Sequence, residues 1–425
     1  MGWLMAASRR LNATEAILIL FVIFATACLN WKLHKKQMQT RWPAEGWNDS
    51  PALPIPQSLP IYNKELASHA IRTTTWMCGD KNPPADQNQR PFFAFVHVYK
   101  TAGTSLRHFF ADYADLCRKS MMLIVNCSGI KASILKSKAS ENWNSCRLKY
   151  VIDRHGNQEG EHDGVEDRVY PTINNTVLQE HFDILAGHYR FGLSDNVFPH
   201  HQPPSSNPLD TTPVRHIVFL RQPMERYVSS KLYRAKQFGT NKKEMSTVED
   251  TVDYIKKRVR ERRKKNEYLD SIFNYLLTPE QAQTTMRKLS TEQLMEHKTQ
   301  LAIKNLVHYN AIVGMTERFS ESMAILQHAL LPSQFSSDER KDSVGEMFEN
   351  YSADGDSSQS SRQNPSQMGT ISTSSVTAEL KKDDAFIQEF QEYLKYEQII
   401  VDFALKMHNM QYDLVINAKL RKTNE

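Results

Sequence analysis

A short apolar run that ends at a turn containing lysine and glycine constrains the fold of this chain most. Residues 92–98 read Phe-Phe-Ala-Phe-Val-His-Val, a pattern typical of a buried strand. A turn with Gly103 follows, and residues 104–116 have the periodicity of a helix. The segment therefore predicts a strand, a loop and a helix in succession.

Three further apolar runs predict strands of the same sheet. They are residues 182–186, 216–220 and 310–314. The first ends at Gly187-His188 and the second ends at Arg221, which leads into another helical pattern. Strands that alternate with helices predict an α/β fold, a parallel sheet flanked by helices, with the site at the carboxyl ends of the strands.

The N-terminus predicts a membrane segment. Residues 16–29 are nearly all apolar and have basic residues on both sides, so we expect a transmembrane signal-anchor at 16–31 after a short cytosolic tail at 1–15. A cleaved signal peptide is the alternative, because Ala25 and Ala27 could precede a cleavage site. Four N-glycosylation triplets suit a lumenal C-terminal portion; they begin at Asn48, Asn126, Asn174 and Asn350.

Composition shifts divide the rest of the chain. Residues 32–90 contain repeated prolines and predict a stem or linker, followed by a domain at 91–415 and a C-terminal tail at 416–425. Residues 333–375 are rich in Ser, Asp and Gln, which predicts a mobile insertion. Helical periodicity resumes near residue 378, where four apolar residues can share one face: Phe386, Phe390, Tyr393 and Leu394.

Charge and cysteine content limit the function classes. The formal net charge of +5 over 425 residues is too small to imply nucleic acid, although clustered basic residues could bind anions. Cysteines at four positions beyond the apolar run lack the CxxC spacing of zinc sites, so no metal is expected. In an oxidising compartment these cysteines could form two disulfides, by one of three pairings. Otherwise they would stay reduced. The four are Cys78, Cys117, Cys127 and Cys146.

The turn after the first strand suits an oxyanion. Residues 97–105 read His-Val-Tyr-Lys-Thr-Ala-Gly-Thr-Ser, which combines Lys100, small residues and hydroxyls at the start of a helix. An ordinary strand-to-helix turn with a surface lysine is the alternative. A Walker nucleotide loop is excluded, because its lysine follows the second glycine and here Lys100 precedes the lone Gly103.

A second anion-binding element follows the strand at 216–220. Arg221 at the strand end could hold a phosphate bidentately, and Ser229 lies two helical turns further on. Arg221 and Arg226 could instead form structural ion pairs.

Both elements resemble the Golgi carbohydrate sulfotransferases, especially the group of heparan sulfate 2-O-sulfotransferase and uronyl 2-O-sulfotransferase. The resemblance covers residues 92–411 except 333–375, and a late segment at 313–319 supports it without assigning a role. It implies a P-loop-like fold and 3'-phosphoadenosine 5'-phosphosulfate as co-substrate. The implied 5'-phosphosulfate residues are Lys100, Thr101, Ala102, Gly103, Thr104 and Ser105, and the implied 3'-phosphate residues are Arg221 and Ser229.

Four positions depart from the family pattern. Tyr99 replaces a usual proline, Ala102 a glycine and Gln222 an aspartate. Ala186 replaces the first histidine of a His-x-His pair whose second member is His188. We therefore expect His188 to be the catalytic base, acting with Lys100. Alternatively His188 only caps a strand, and His97, His155 or a carboxylate is the base; strand alternation could turn His97 into the core.

The expected function is sulfuryl transfer to a carbohydrate hydroxyl. The acceptor would be an acidic, uronic-acid-containing polysaccharide, and the enzyme a single-pass type II protein of the Golgi membrane. Basic residues 256–265 could guide such a chain or could be a solvated helix face. A kinase-like phosphoryl-transfer enzyme and an inactive membrane-tethered glycan-binding protein are the alternatives.

Overall fold

Parallel strands covered by helices on both faces make up the described part of the molecule. The structure is a computed structural model that describes residues 59–72, 76–79, 92–119, 121–126, 147–152, 158–159, 183–192, 214–239, 242–278, 281–282, 290–356 and 371–424. All of these residues belong to one compact unit, Ser58–Glu425.

The described strands form two sheets. The strands are β1 (Met77–Cys78), β2 (Phe92–Val96), β3 (Met121–Asn126), β4 (Arg147–Ile152), β5 (Gln158–Glu159), β6 (Ile184–Gly187), β7 (Val214–Leu220), β8 (Ile312–Met315) and β9 (Gln334–Phe335). The main sheet has the order β5-β4-β3-β6-β2-β7-β8, and β1 pairs with β9 separately. Strands β3, β6, β2, β7 and β8 are parallel, while β4 and β5 are antiparallel additions at one edge.

Ten helices pack around these strands in the part of the chain that the structure describes. They are α1 (Lys64–Ala70), α2 (Gly103–Leu116), α3 (Pro223–Phe238), α4 (Val248–Arg263), α5 (Phe273–Leu276), α6 (Thr291–His308), α7 (Phe319–Leu330), α8 (Asp338–Asp356), α9 (Thr373–Leu380) and α10 (Asp384–Asn424). The strands at 92–98, 182–186, 216–220 and 310–314 and the helix at 104–116 are thus confirmed to within a few residues.

The alternating side chains of β2 explain the two helical layers. Phe93 and Phe95 belong to a core cluster with residues of α2, α7 and α8. Phe92, Ala94 and Val96 belong to a second cluster, with residues of α6 and α10. Because both faces of the strand are apolar and buried, the sheet needs helices on both sides. The prediction of a parallel sheet flanked by helices is confirmed.

Strand order brings three distant segments to one edge. β2 lies between β6 and β7, with Val96 opposite Gly187 on one side and Val218 on the other. Since all three strands run in the same direction, their carboxyl ends are neighbours. The turn after β2, the residue after β6 and the residue after β7 therefore meet.

The prediction of a mobile insertion at 333–375 is wrong for its first half. Gln334–Phe335 pairs with β1, and Asp338–Asp356 forms α8. The apolar residues of α8 have helical spacing and are buried: Val344, Met347, Phe348 and Tyr351. Polar residues between them produced the misleading composition. Residues 357–370 lie outside the described residues.

Two predicted boundaries are also wrong. Within the stem predicted at 32–90, α1 packs into the core through Leu66 and Ala67, and Tyr62 accepts a hydrogen bond from Gln411 Nε2 at 2.8 Å. The tail predicted at 416–425 continues α10 as far as Asn424. Each segment has too few apolar residues to stand out in composition.

The N-terminal prediction is not tested, and the cysteine prediction is tested only in part. The tail at 1–15 and the anchor at 16–31 lie outside the described residues, and no helix of the described part is long and apolar enough to cross a membrane. Cys78 and Cys117 form a disulfide with Cα atoms 4.5 Å apart, which joins β1 to the end of α2. Cys127 and Cys146 lie outside the described residues.

Candidate functional site

The backbone of the turn between β2 and α2 is unusual. Lys100 has φ 68° and Ala102 has φ 57°, both in the left-handed region. For alanine this conformation costs about 1–2 kcal/mol, which explains why glycine suits the position. Ala102 is also the N-cap of α2, and no side chain caps the helix there. The first N–H groups of α2 therefore have no side-chain acceptor at their cap, as an anion site requires.

Gly103 is required by its neighbour His97. A Cβ atom at Gly103 would lie 1.5 Å from His97 Nε2, so no other residue fits without moving that ring. His97 is 5% exposed, and burial holds its pKa well below the usual value. A buried ring wedged against Gly103 is poorly placed to take a proton from a substrate. His97 is thus buried, as strand alternation allowed.

His188 has the geometry of a general base. It follows Gly187, whose φ of 139° suits glycine, and its Nδ1–H donates to the carbonyl oxygen of His97 at 2.9 Å. The bond fixes the tautomer, so Nε2 keeps its lone pair. Burial, with a smaller contribution from Arg107, lowers the pKa of His188 to about 4. His188 is therefore neutral near pH 7. The alternative base His155 lies outside the described residues.

The two histidine rings and two tyrosines form the wall of the site. His97 stacks on His188 with ring centroids 4.0 Å apart. Tyr99 and Tyr275 approach His188 at centroid distances of 6.0 and 5.9 Å. Such packing restricts the orientation of His188 and holds it beside the turn.

Lys100 is a partly buried cation held against aromatic rings. Its Nζ lies 3.2 Å from the ring centroid of Tyr233 and 5.1 Å from that of Tyr99. Burial, and then the nearby charges of Arg221 and Arg107, lower the pKa of Lys100 to about 7. An anion bound here would relieve that destabilisation of the charged amine.

The turn's hydroxyl groups differ in their availability. Thr101 is buried, and its Oγ1–H donates to the carbonyl oxygen of Val98 at 2.8 Å, so this side chain closes the turn. The structure describes only the backbone of Thr104, and Ser105 is half-buried in the first turn of α2. The expectation that hydroxyls of the turn hold a phosphate is thus weakened for Thr101, whose backbone N–H remains a candidate.

Arg221 lies where a second phosphate group could reach it. It follows β7, its side chain is 18% exposed, and its Nε lies 3.7 Å from Glu317 Oε1. The same carboxylate oxygen accepts the N–H of Gln222 at 3.0 Å. Glu317 thereby orients the strand end, which gives a role to the late segment at 313–319. Burial raises the pKa of Glu317.

The helix after Arg221 contains Ser229, the second residue predicted to bind the 3'-phosphate. α3 begins at Pro223 without a side-chain cap, and Ser229 is 1% exposed on it. The assignment of Ser229 to a 3'-phosphate stays a prediction. Because Arg221 lowers the pKa of Lys100, the structure does bring Lys100 and Arg221 into one electrostatic site.

Arg226 is structural, in contrast to Arg221. It is buried and pairs with the buried carboxylate of Glu397, and it also donates to Ser271 Oγ at 3.1 Å. Glu397 accepts the N–H of Ile272 at 3.0 Å as well. The ion-pair interpretation is therefore correct for Arg226.

Sequence reasoning missed several residues of the site. Arg107 donates from Nε to the carbonyl oxygen of Gly103 at 3.2 Å, and Tyr233 contacts Lys100. Both lie four residues beyond a predicted site residue, Arg107 after Gly103 and Tyr233 after Ser229. One helical turn separates such positions, so this spacing was the available signal.

The basic run at 256–265 lies mainly on α4, as predicted, but most of its charges are paired. Lys256 bonds to Asp383 at 2.6 Å, and Arg260 and Arg263 pair with Glu389 and Glu392 of α10. Arg258 and Arg262 pair with nearby Glu261 and Glu267. In the described part of the chain, only the exposed Lys257, Lys264 and Lys265 of this run have no ion pair. The solvated-face interpretation is favoured for the paired members.

Within the described residues, no group of three or more His, Cys, Asp or Glu side chains could hold a metal ion. Comparison with protein-family models, curated proteins and solved structures finds no match to this chain. Functional assignment therefore depends on the site residues themselves.

Proposed function

We propose that this protein is a carbohydrate O-sulfotransferase that uses 3'-phosphoadenosine 5'-phosphosulfate. One observation carries the proposal: neutral His188, with Nε2 available, lies beside a turn that holds Lys100 at an uncapped helix start. An anion site next to a proton acceptor suits transfer of an anionic group to a hydroxyl. The proposed acceptor is a uronic-acid-containing, glycosaminoglycan-like polysaccharide, with 2-O transfer favoured.

The chemistry assigns opposite roles to the two residues. His188 Nε2 takes the proton of the acceptor hydroxyl as the acceptor oxygen forms a bond to sulfur. The bond from sulfur to the bridging phosphate oxygen breaks, and the electron pair stays on that oxygen. Lys100 stabilises the developing charge on the departing phosphate, an interaction that strengthens towards the transition state.

Donor binding in this proposal uses both strand ends. The uncapped start of α2, with the N–H groups of the turn from Thr101 to Ser105, would bind the 5'-phosphosulfate in a P-loop-like manner. Arg221, with Ser229, would bind the 3'-phosphate. Glu317 beside Arg221 supports this assignment, because its bond to the N–H of Gln222 holds the strand end that carries the guanidinium group.

A lumenal location is part of the proposal. The Cys78–Cys117 disulfide is typical of an oxidising compartment, and Asn350 of a glycosylation triplet is exposed on α8. We propose a type II protein of the Golgi membrane anchored by residues 16–31.

The test is transfer of labelled sulfate by the purified full-length protein. Donor carrying radioactive sulfate is incubated with heparan sulfate, dermatan sulfate and a neutral polysaccharide, beside ATP labelled at its γ-phosphate. We expect sulfate to enter a uronic-acid-containing chain and no phosphate to be transferred. Folded protein that binds no adenosine 3',5'-bisphosphate and transfers no sulfate would contradict the proposal, and phosphate transfer would identify a kinase. Lys100→Ala is the matched inactive control.

A further inference from the structure

Lys100 has aromatic rather than acidic neighbours. Its Nζ lies 3.2 Å from the centroid of the Tyr233 ring, and the Tyr99 ring meets Tyr233 edge-on at 5.7 Å. No carboxylate pairs with Lys100 among the residues that the structure describes. The faces of tyrosine rings attract cations within about 6 Å, so Tyr233 is the closest stabilising contact of this ammonium group.

Other charged groups near Lys100 oppose its charge. Burial lowers the pKa of Lys100 most, and the charges of Arg221 after β7 and Arg107 of α2 lower it further. His97, which follows β2, and His188, which follows β6, are neutral near pH 7. The ring faces of Tyr99 and Tyr233 therefore offset a field that would otherwise favour the neutral amine.

We propose that Tyr233 is a positioning residue that keeps Lys100 charged and directed at the proposed donor site, an inference that rests on the proposed function. The contact joins α3, the helix of the 3'-phosphate element, to the 5'-phosphosulfate turn. Tyr99, which stands where the family usually has proline, supplies a second ring to the same contact. A phosphosulfate group entering the site replaces the ring as the partner of Lys100.

Titration of Lys100 in the full-length protein tests this inference without any catalysis. The rate of acetylation of Lys100 by acetic anhydride is followed by mass spectrometry as a function of pH. Tyr233→Leu removes the ring, and we expect the midpoint of Lys100 to fall by about one pH unit. Tyr233→Phe keeps the ring and should leave the midpoint unchanged. Tyr268→Leu, at a ring that contacts Arg263 at 4.9 Å, is the matched control and should also have no effect.

The outcomes separate the inference from the proposed function. An unchanged Lys100 midpoint in folded Tyr233→Leu would overturn the inference; Tyr233→Met replaces that variant if it does not fold. Adenosine 3',5'-bisphosphate serves as the donor-site probe. Protection of wild-type Lys100 by this probe supports the donor site. A shifted midpoint without protection would contradict the donor assignment while the effect of Tyr233 on Lys100 stands.

Discussion

The basic residues at the sheet edge and those of α4 are the same residue types in the sequence, but they differ in burial and in ion pairing in the structure. Lys100 and Arg221 are largely buried; Glu317 lies 3.7 Å from Arg221, and Glu225 adds a smaller attraction to the same guanidinium group. Arg260 and Arg262 are 51% and 59% exposed, and each has a glutamate partner. The number of charges in a segment therefore does not indicate how many can bind a ligand.

The pKa shifts express this difference. Burial lowers the pKa of Lys100 and of Arg221, so charge at the sheet edge is costly until an anion arrives. A hydrogen bond from Arg262 to Glu267 raises the pKa of Arg262, whose charge is already compensated and solvated. We expect substitutions at the edge to affect function and those on α4 to have small effects.

Loss of the base should have the largest effect. His188→Ala should lower turnover by about 10²–10⁴-fold with donor affinity near the wild-type value, because the proposed mechanism gives His188 the acceptor proton and no contact with the donor. Sulfate transfer and calorimetric binding of adenosine 3',5'-bisphosphate measure the two quantities. His108→Ala, on the exposed face of α2, is the control. Near-normal turnover in folded His188→Ala would remove His188 from the mechanism.

Arg226 tests a third kind of cation, one that is buried and paired. Arg226→Ala leaves Glu397 buried without its partner, so we expect the free energy of unfolding to fall by about 3–5 kcal/mol. Urea unfolding followed by circular dichroism measures this change. The double variant Arg226→Met with Glu397→Leu should recover much of the loss. A small loss in Arg226→Ala would mean that water compensates the carboxylate.

Arg221 should matter to the donor and little to stability. Arg221→Ala should weaken binding of adenosine 3',5'-bisphosphate by about 1.5–3 kcal/mol, the cost of losing a charged hydrogen bond. Adenosine 5'-phosphosulfate, which lacks the 3'-phosphate, should lose much less affinity. Equal losses for both ligands in calorimetry would argue against the 3'-phosphate assignment.

The pH dependence of kcat/KM should show the titration of both His188 and Lys100. His188 must be neutral, so kcat/KM should fall as pH is lowered through about 4. Lys100 must be protonated in the free enzyme, so kcat/KM should fall as pH is raised through about 7. Each limb should change about tenfold per pH unit. Measurement at low donor concentration gives this profile, and an acid limb near the ordinary histidine pKa would contradict the burial argument.

The smallest effect is expected for the basic run at 256–265. Neutralising Lys257, Lys264 and Lys265 should raise the acceptor KM several-fold and flatten its salt dependence, because these charges have no ion-pair partner among the described residues and are screened by salt. Neutralising Lys256, Arg262 and Arg263, which are paired, should change the acceptor KM less. Acceptor kinetics measure both triple variants. Equal effects would contradict the expectation that ion pairing decides which of these charges act on the acceptor.

Local patterns in the sequence determined much of this protein. The apolar run at 92–98 and the glycine that follows predicted β2 and the start of α2, because strand and helix periodicities depend on near neighbours. Phe386, Phe390, Tyr393 and Leu394 were likewise assigned to one helix face, and all four are buried. The helical spacing of Val344, Met347, Phe348 and Tyr351 was equally readable and was hidden only by the polar residues around it.

Only the tertiary structure decided which charges and rings meet. His188 became a base candidate with a fixed tautomer because β6 pairs with β2, which brings its Nδ1 to the carbonyl oxygen of His97, 91 residues away in sequence. The same order of strands brings Arg221 near Lys100 and places the ring of Tyr233 against the Lys100 amine. Pairing across the sheet and between helices depends on the whole set of packed faces, so no local window of sequence contains it.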